Sequence, residues 1–296
     1  MAARIICFGE TLWDVFPDKK VIGGAPLNVA LRLYSLGSEA AIISRVGNDQ
    51  DGKNMKQYLN KAGFDCSMIT TDLKLTTGNV QVHLDQNNTA SYTISKPVAW
   101  DNISIDPNDV ERISQADAFI YGSLCCRNSI SRNTLFEYLT HAKFKVFDAN
   151  LRPPHYTMPN VFELMNMADM VKLNDDELEE ICQFLQIDSK SIDVQIKDLS
   201  RLTNTDNICI TLGAKGAVFY ADKKYYTNPG YKVLVQDTVG AGDSFLASLV
   251  YHFILGTAPQ EALDFACAMG SLVASKKGAN PDISRLEIEN LQKMSS

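Results

Sequence analysis

The chain is 296 residues long, enough for one large α/β domain or a large domain with a small appendage. Apolar residues make up 45% and charged residues 21%, and the formal net charge is −7. That acidic balance, with no Lys/Arg run, argues against a nucleic-acid surface, and no apolar run reaches the roughly 18 residues of a membrane span. The seven cysteines are scattered and lack the Cys-x-x-Cys spacing of a zinc site, so they read as small core residues in a reducing compartment. The N-terminal apolar run is too short for a signal peptide, and the expected compartment is the cytoplasm.

In chain order, residues 4–9 read as a buried first strand, β-branched and closed by Gly9. Residues 12–16 and 20–22 predict a hairpin around Pro17-Asp18. Gly23-Gly24-Ala25-Pro26 then leads into a helix to residue 36, with Pro26 in its first turn. A strand at 40–45 and a helix at 51–62 follow. Residues 77–85 alternate, with Val80, Val82 and Leu84 on one face, and 90–94 return after Gln86-Asn87-Asn88, which predicts a second antiparallel hairpin. Two hairpins interrupting a helix-and-strand alternation predict a small β lid, about 11–22 and 77–96, within one domain spanning 1–296.

Beyond the lid, strands at 118–122, 145–150, 170–174 and 207–211 alternate with helices at 129–143, 160–167 and 175–185 and a short one before 207. A meander at 218–226, helices from 240 and over 259–275, and a last helix opened by Ser284 and Glu287 at capping-box spacing complete the chain. This order predicts an α/β class: a doubly wound, mostly parallel sheet with helices on both faces. Ligands collect at the carboxyl ends of such strands, where Asn150, Asn174, Thr211 and a glycine motif are expected.

That motif is Asp237-Thr238-Val239-Gly240-Ala241-Gly242-Asp243, followed by apolar residues at helical spacing from Phe245 to Ile254. Glycines at a helix mouth leave N–H groups bare, with the positive end of the dipole behind them, and such a terminus accepts phosphate. Asp243 alone would read as a dipole partner. Set among phosphate donors, a carboxylate also suits deprotonation of a hydroxyl that attacks a phosphoryl group. No Gly-x-Gly-x-x-Gly follows the first strand, which argues against a dinucleotide-dependent dehydrogenase.

The glycine motif resembles the second signature of the ribokinase-like (pfkB) family of carbohydrate kinases. Gly23-Gly24-Ala25-Pro26-Leu27-Asn28, with Gly37, Gly47, Asp49 and Gly52, resembles the first. Gly-Glu-Thr-Leu-Trp-Asp and Asp148-Ala149-Asn150-Leu151-Arg152 bring the chain nearest to the fructokinase subgroup. The resemblance implies the ribokinase-like fold and ATP-dependent transfer of the γ-phosphoryl group to a primary hydroxyl of a free sugar, fructose first. The alternatives are 2-keto-3-deoxygluconate or a ribokinase-type acceptor, or a non-catalytic sugar or nucleotide sensor on the same fold.

By resemblance, Asp243 is the base and Gly240, Ala241 and Gly242 grip the migrating group. Asp14, Gly23, Gly24, Asn28 and Arg152 meet the sugar. Asn174, Thr211, Gly213, Lys215 and Gly216 line ATP, and Glu177 holds Mg²⁺ through water, as a strongly hydrated ion allows. Lys172 reads instead as strand-edge decoration. Cys267 reads as a packed helix residue where many relatives carry an asparagine near the adenine. A monovalent cation such as K⁺ around Asp237 and the Gly278 loop, and a homodimer through the lid, are further implications; nucleic-acid and membrane partners are not expected.

Overall fold

The computed structural model describes residues 2–84 and 90–294. The expected turn at Gln86-Asn87-Asn88 lies outside them. Thirteen strands and ten α-helices occupy the described residues. The main sheet is nine-stranded, in the order β13-β12-β11-β10-β9-β8-β1-β4-β5. Its members are β1 (Arg4–Phe8), β4 (Glu39–Gly47), β5 (Ile69–Asp72), β8 (Ala118–Gly122), β9 (Lys145–Asp148), β10 (Met170–Asn174), β11 (Asn207–Thr211), β12 (Ala217–Ala221) and β13 (Lys224–Asn228). All pair in parallel except β11–β12 and β12–β13, which form the expected meander.

β1 lies inside this sheet because both of its faces are apolar. Ile6 and Phe8 join Phe119, Tyr121 and Phe147 in one core, while Ile5 and Cys7 join a second core on the opposite face. The helices divide accordingly. Buried residues of α4 (Ser129–Leu139), α5 (Met158–Asn166), α6 (Asp175–Phe184) and α7 (Ile192–Thr203) cover the first face. Those of α1 (Ala25–Ser35), α2 (Gln50–Lys61), α8 (Ala241–Ile254) and α9 (Pro259–Ala274) cover the second. From β1 the order runs to β4 on one side and to β8 on the other, so strand order reverses there and a crevice opens at the carboxyl ends. The sequence reading missed β5 and the short α3 (Pro107–Gln115), whose apolar residues are too few to show a period. α10 (Arg285–Lys293) carries the expected capping box: Ser284 Oγ accepts from the Glu287 amide and Glu287 Oε2 from the Ser284 amide.

A separate four-stranded sheet has the order β3-β2-β6-β7, from β2 (Leu12–Val15), β3 (Lys20–Gly23), β6 (Gly78–Leu84) and β7 (Ala90–Ile94). The two hairpins meet through a parallel β2–β6 pairing. Asp49 fastens the entry to β6. Its Oδ1 accepts from the Gly52 amide at 2.8 Å, capping α2, and from Thr77 Oγ1 at 2.6 Å, while its Oδ2 accepts from the Thr77 amide at 2.8 Å. Thr77 Oγ1 in turn accepts from the Gly47 amide at 2.9 Å. This part of the first signature thus joins the two sheets. Asp49→Ala removes a helix cap and leaves the Thr77 amide without its acceptor; it should destabilise the protein by about 1–3 kcal/mol, read from urea unfolding midpoints at constant m.

Candidate active site

α8 begins where it does because Gly240 turns left-handed, with φ 76°. A Cβ at that position would overlap the backbone of Ala279, so conformation and space both require glycine. The turn closes with the Ala241 amide donating to Thr238 O at 3.2 Å. Among the described residues the amides of Gly240, Gly242 and Asp243 meet no protein acceptor, and no side chain caps the helix. The bare donors are therefore Gly240, Gly242 and Asp243, with the expected Ala241 amide already engaged. Gly242 has ordinary helical backbone and is exposed, so neither conformation nor packing requires a glycine there. The chain reaches this mouth through the irregular segment 229–240 rather than directly from a strand end.

Asp243 is held across the crevice by α1: Asn28 Nδ2 donates to its Oδ2 at 2.8 Å. Asn28 is itself fixed by Asn280, whose Nδ2 donates to Asn28 Oδ1 at 2.9 Å. Arg32, one turn on, binds Ser244 Oγ and the Pro281 carbonyl, so α1, α8 and the segment after α9 form one clamp. Only partly open to solvent, the Asp243 carboxyl is pushed up to about 6, chiefly by desolvation and then by Asp148; Asn28, Lys172 and Arg152 oppose the rise.

Asp14, on β2, is raised to about 6 by desolvation, with Arg152 opposing. Its carboxylate fills the space a side chain at Gly23 would need, and a Cβ at Gly24 (φ 107°) would press on the Glu10 carbonyl. The double glycine thus lets β3 turn into α1 against these two acids. Arg152 is exposed; its Nη1 donates to the Leu151 carbonyl at 3.0 Å, and its charge acts on Asp14, Glu10 and Asp243.

The expected nucleotide side is less uniform. Asn174 caps α6, its Oδ1 accepting from the Glu177 amide at 2.8 Å. The buried Glu177 carboxylate accepts from the Asn174 amide at 2.9 Å and from the Leu151 amide at 2.8 Å, tying α6 to the loop after β9. Thr211 ends β11, and Gly213 and Lys215 are exposed on the turn after it. Gly216 is buried against Asn228–Gly230, where a side chain would overlap backbone. Among the described residues, no group of three or more His, Cys, Asp or Glu could enclose a metal ion. A hydrated Mg²⁺ carried on phosphates fits this donor set; a protein-enclosed one does not.

Two residues went unrecognised in the sequence. Lys172 is not at a strand edge: it lies on β10 between β9 and β11, is 6% exposed, and its Nζ donates to Asp148 Oδ1 at 3.0 Å. The signal was present, since a lysine inside the apolar run Met170–Asn174 of a two-sided strand must find a partner. Glu10, just after β1, is 3% exposed, and its Oε2 has no partner among the described residues. Desolvation raises it to about 7, and it lines a cavity with Asp148, Asn150 and Leu246 at the strand-order reversal. Cys267 is packed in α9, as expected.

Residues 2–285 match the model of the pfkB family carbohydrate kinases. The chain belongs to that family. It is 30% identical to fructokinase-1 of Oryza sativa subsp. japonica over 100% of both chains. It is 31% identical to fructokinase of Vibrio alginolyticus over 92% of each. A fructokinase double mutant of Vibrio cholerae O395, solved in a fructose-, ADP- and potassium-ion-bound form, superposes with a TM-score of 0.84 at 25% identity, covering 98% of each chain. The ribokinase-like fold is thereby shared. No helix among the described residues of this kinase is long and apolar enough to cross a membrane. Gly240→Ala forces a β-carbon onto Ala279 and an alanine into left-handed backbone; it should lower the melting temperature by several degrees, read by calorimetry beside a Gly256→Ala control, whose Cβ meets open space at a similar φ.

Proposed function

We propose that the chain catalyses ATP-dependent phosphorylation of fructose at its 6-hydroxyl, in the cytoplasm. The observation that carries this reading is the Asp243 carboxylate, fastened by Asn28 and set beside the bare amides of the α8 mouth. Asp243 takes the hydroxyl proton; the freed oxygen bonds to the γ-phosphorus as the bond to the ADP oxygen breaks. The amides of Gly240, Gly242 and Asp243 hold the charge spreading over the transferred group, with the α8 dipole behind them. Asp14 accepts from sugar hydroxyls, and the Gly23–Gly24 turn lets the sugar approach the backbone. Asn28 keeps Asp243 aimed at the acceptor oxygen, and Arg152 balances the acids around the sugar.

Asn174, Thr211, Gly213 and Lys215 border the nucleotide, Gly216 closes the turn that carries Gly213 and Lys215, and Glu177 shapes that border through the Leu151 and Asn174 amides. Mg²⁺, when bound to the phosphates, neutralises their charge and leaves Glu177 to act through water. A monovalent cation such as K⁺ belongs near Asp237, whose carboxylate accepts the Val239 and Gly278 amides at 3.0 Å each. The small sheet serves as the lid that excludes water, and two copies pair through it. The fructokinases among the relatives support the acceptor, and the free state of all seven cysteines supports the compartment. A second acceptor, 2-keto-3-deoxygluconate, is favoured by the exposed Arg152 guanidinium, whose one hydrogen bond among the described residues is to a neighbouring carbonyl.

Coupled ADP release over fructose, glucose, ribose and 2-keto-3-deoxygluconate should give the highest kcat/KM with fructose; a preference for the keto acid would reassign the acceptor. Asp243→Asn should lower kcat by roughly 10²–10⁴ while sparing fructose affinity, read by steady-state kinetics and calorimetric titration. Asp243 works ionised and its carboxyl stands raised to about 6, so kcat/KM should rise with pH through that value and level off above it.

A further inference from the structure

The Asp243 carboxylate is faced by charged or polar groups from every element around it. These are Asp148 from β9, Lys172 from β10, Arg152 from the loop after β9, Glu10 from the segment after β1 and Asn28 from α1. Glu177, from α6, acts on Lys172. Among these, the Lys172–Asp148 pair is the one that packing does not explain. Both side chains are 7% exposed in the interior of a parallel sheet, where an apolar pair would serve stability equally well. The ammonium lies under the mouth of α8: a Cβ at Gly242 would sit 3.6 Å from Lys172 Nζ, one residue before the carboxylate in question.

We infer that Lys172 is a positioning residue for phosphoryl transfer, holding the neighbouring Asp243 carboxylate ionised while Asp148 fixes the ammonium in place. The inference rests on the reading of Asp243 as the base. Asp148 sets a second negative charge near Asp243 in a desolvated crevice, and without a cation beside it Asp243 would hold its proton more tightly. A protonated Asp243 cannot accept the hydroxyl proton. Arg152 opposes this from the exposed side of the crevice, where solvent screens it more. Lys172 acts from within. Burial alone would drive its ammonium toward neutrality, but Asp148, Glu177 and Asp243 outweigh that and keep it charged. Its hydrogen bond to Asp148 stops the flexible stem from turning away from the crevice.

The test is the pH profile of kcat/KM for the wild type, Lys172→Met, Asp148→Asn, the double variant and Asp243→Asn, with the acceptor that turns over fastest. Lys172→Met should displace the acid limb upward by about one pH unit or more. Asp148→Asn should displace it downward, since a like charge is gone while the amide oxygen still accepts from the ammonium, and the double variant should return it close to the wild-type position. A purely structural role for the pair would lower activity in both single variants without moving the limb in opposite directions, and that result overturns the inference. So does a limb that the double variant fails to restore. Should Lys172→Met not fold, Asp148→Asn still decides, because an unmoved or raised limb is incompatible with the proposal. Loss of turnover in Asp243→Asn with an unmoved Lys172→Met limb defeats this inference alone; retained turnover in Asp243→Asn defeats the base assignment and this inference with it.

Discussion

The structure depends on how like charges are kept together at the carboxyl ends of the sheet. Glu10, Asp14, Asp148 and Asp243 converge on one crevice, in a chain whose net charge is −7. Desolvation raises Glu10, Asp14 and Asp243, so burial makes each costlier to keep ionised. Against them stand Lys172 from inside the sheet and Arg152 from its rim. Helix α8 adds positive potential without adding a side chain. Backbone dipoles of this kind can meet a polyphosphate without first collapsing onto the acids, as a third mobile cation would.

The fold was legible because its signals are local and redundant. Apolar strand runs, the hairpin at Pro17-Asp18, the Pro26 helix start and the Ser284–Glu287 box each describe one element, and each element forms. Short elements without a period, β5 and α3, escaped. At the site, Asp243 and the glycines were readable because a motif packs backbone conformation and chemistry into seven consecutive residues. Lys172 and Glu10 were not, since burial decides their meaning and the partner of Lys172 lies on another strand. Asp49 and Gly216 show the opposite difficulty: a residue inside a signature or a glycine turn can be there for architecture, as the Asp49–Thr77 fastening and the packing of Gly216 on Asn228 demonstrate.

The clamp of Asn28, Asn280, Arg32 and Ser244 also explains why local rules stop short of the site. Each contact spans more than two hundred residues of sequence, and together they place α1, near the start of the chain, against α8 and the segment after α9. Glu177 does similar work over a shorter span by holding the loop after β9 to the first turn of α6. The crevice is thus framed by helix termini whose relative placement is set by polar side chains rather than by the sheet alone.

The apolar face of α1 has a history during synthesis. Leu27, Val29, Ala30 and Leu33 share their core with Phe245, Leu246, Leu249 and Val250 of α8. A nascent chain that has emerged only as far as the end of the main sheet therefore carries β1 and α1 with an oily flank and nothing to cover it, a state that invites aggregation. The segment that closes this flank is the same one that brings Asp243 to Asn28. Closure of this flank and the seating of Asp243 on Asn28 thus come in one step, with α9 still to be added to the same core.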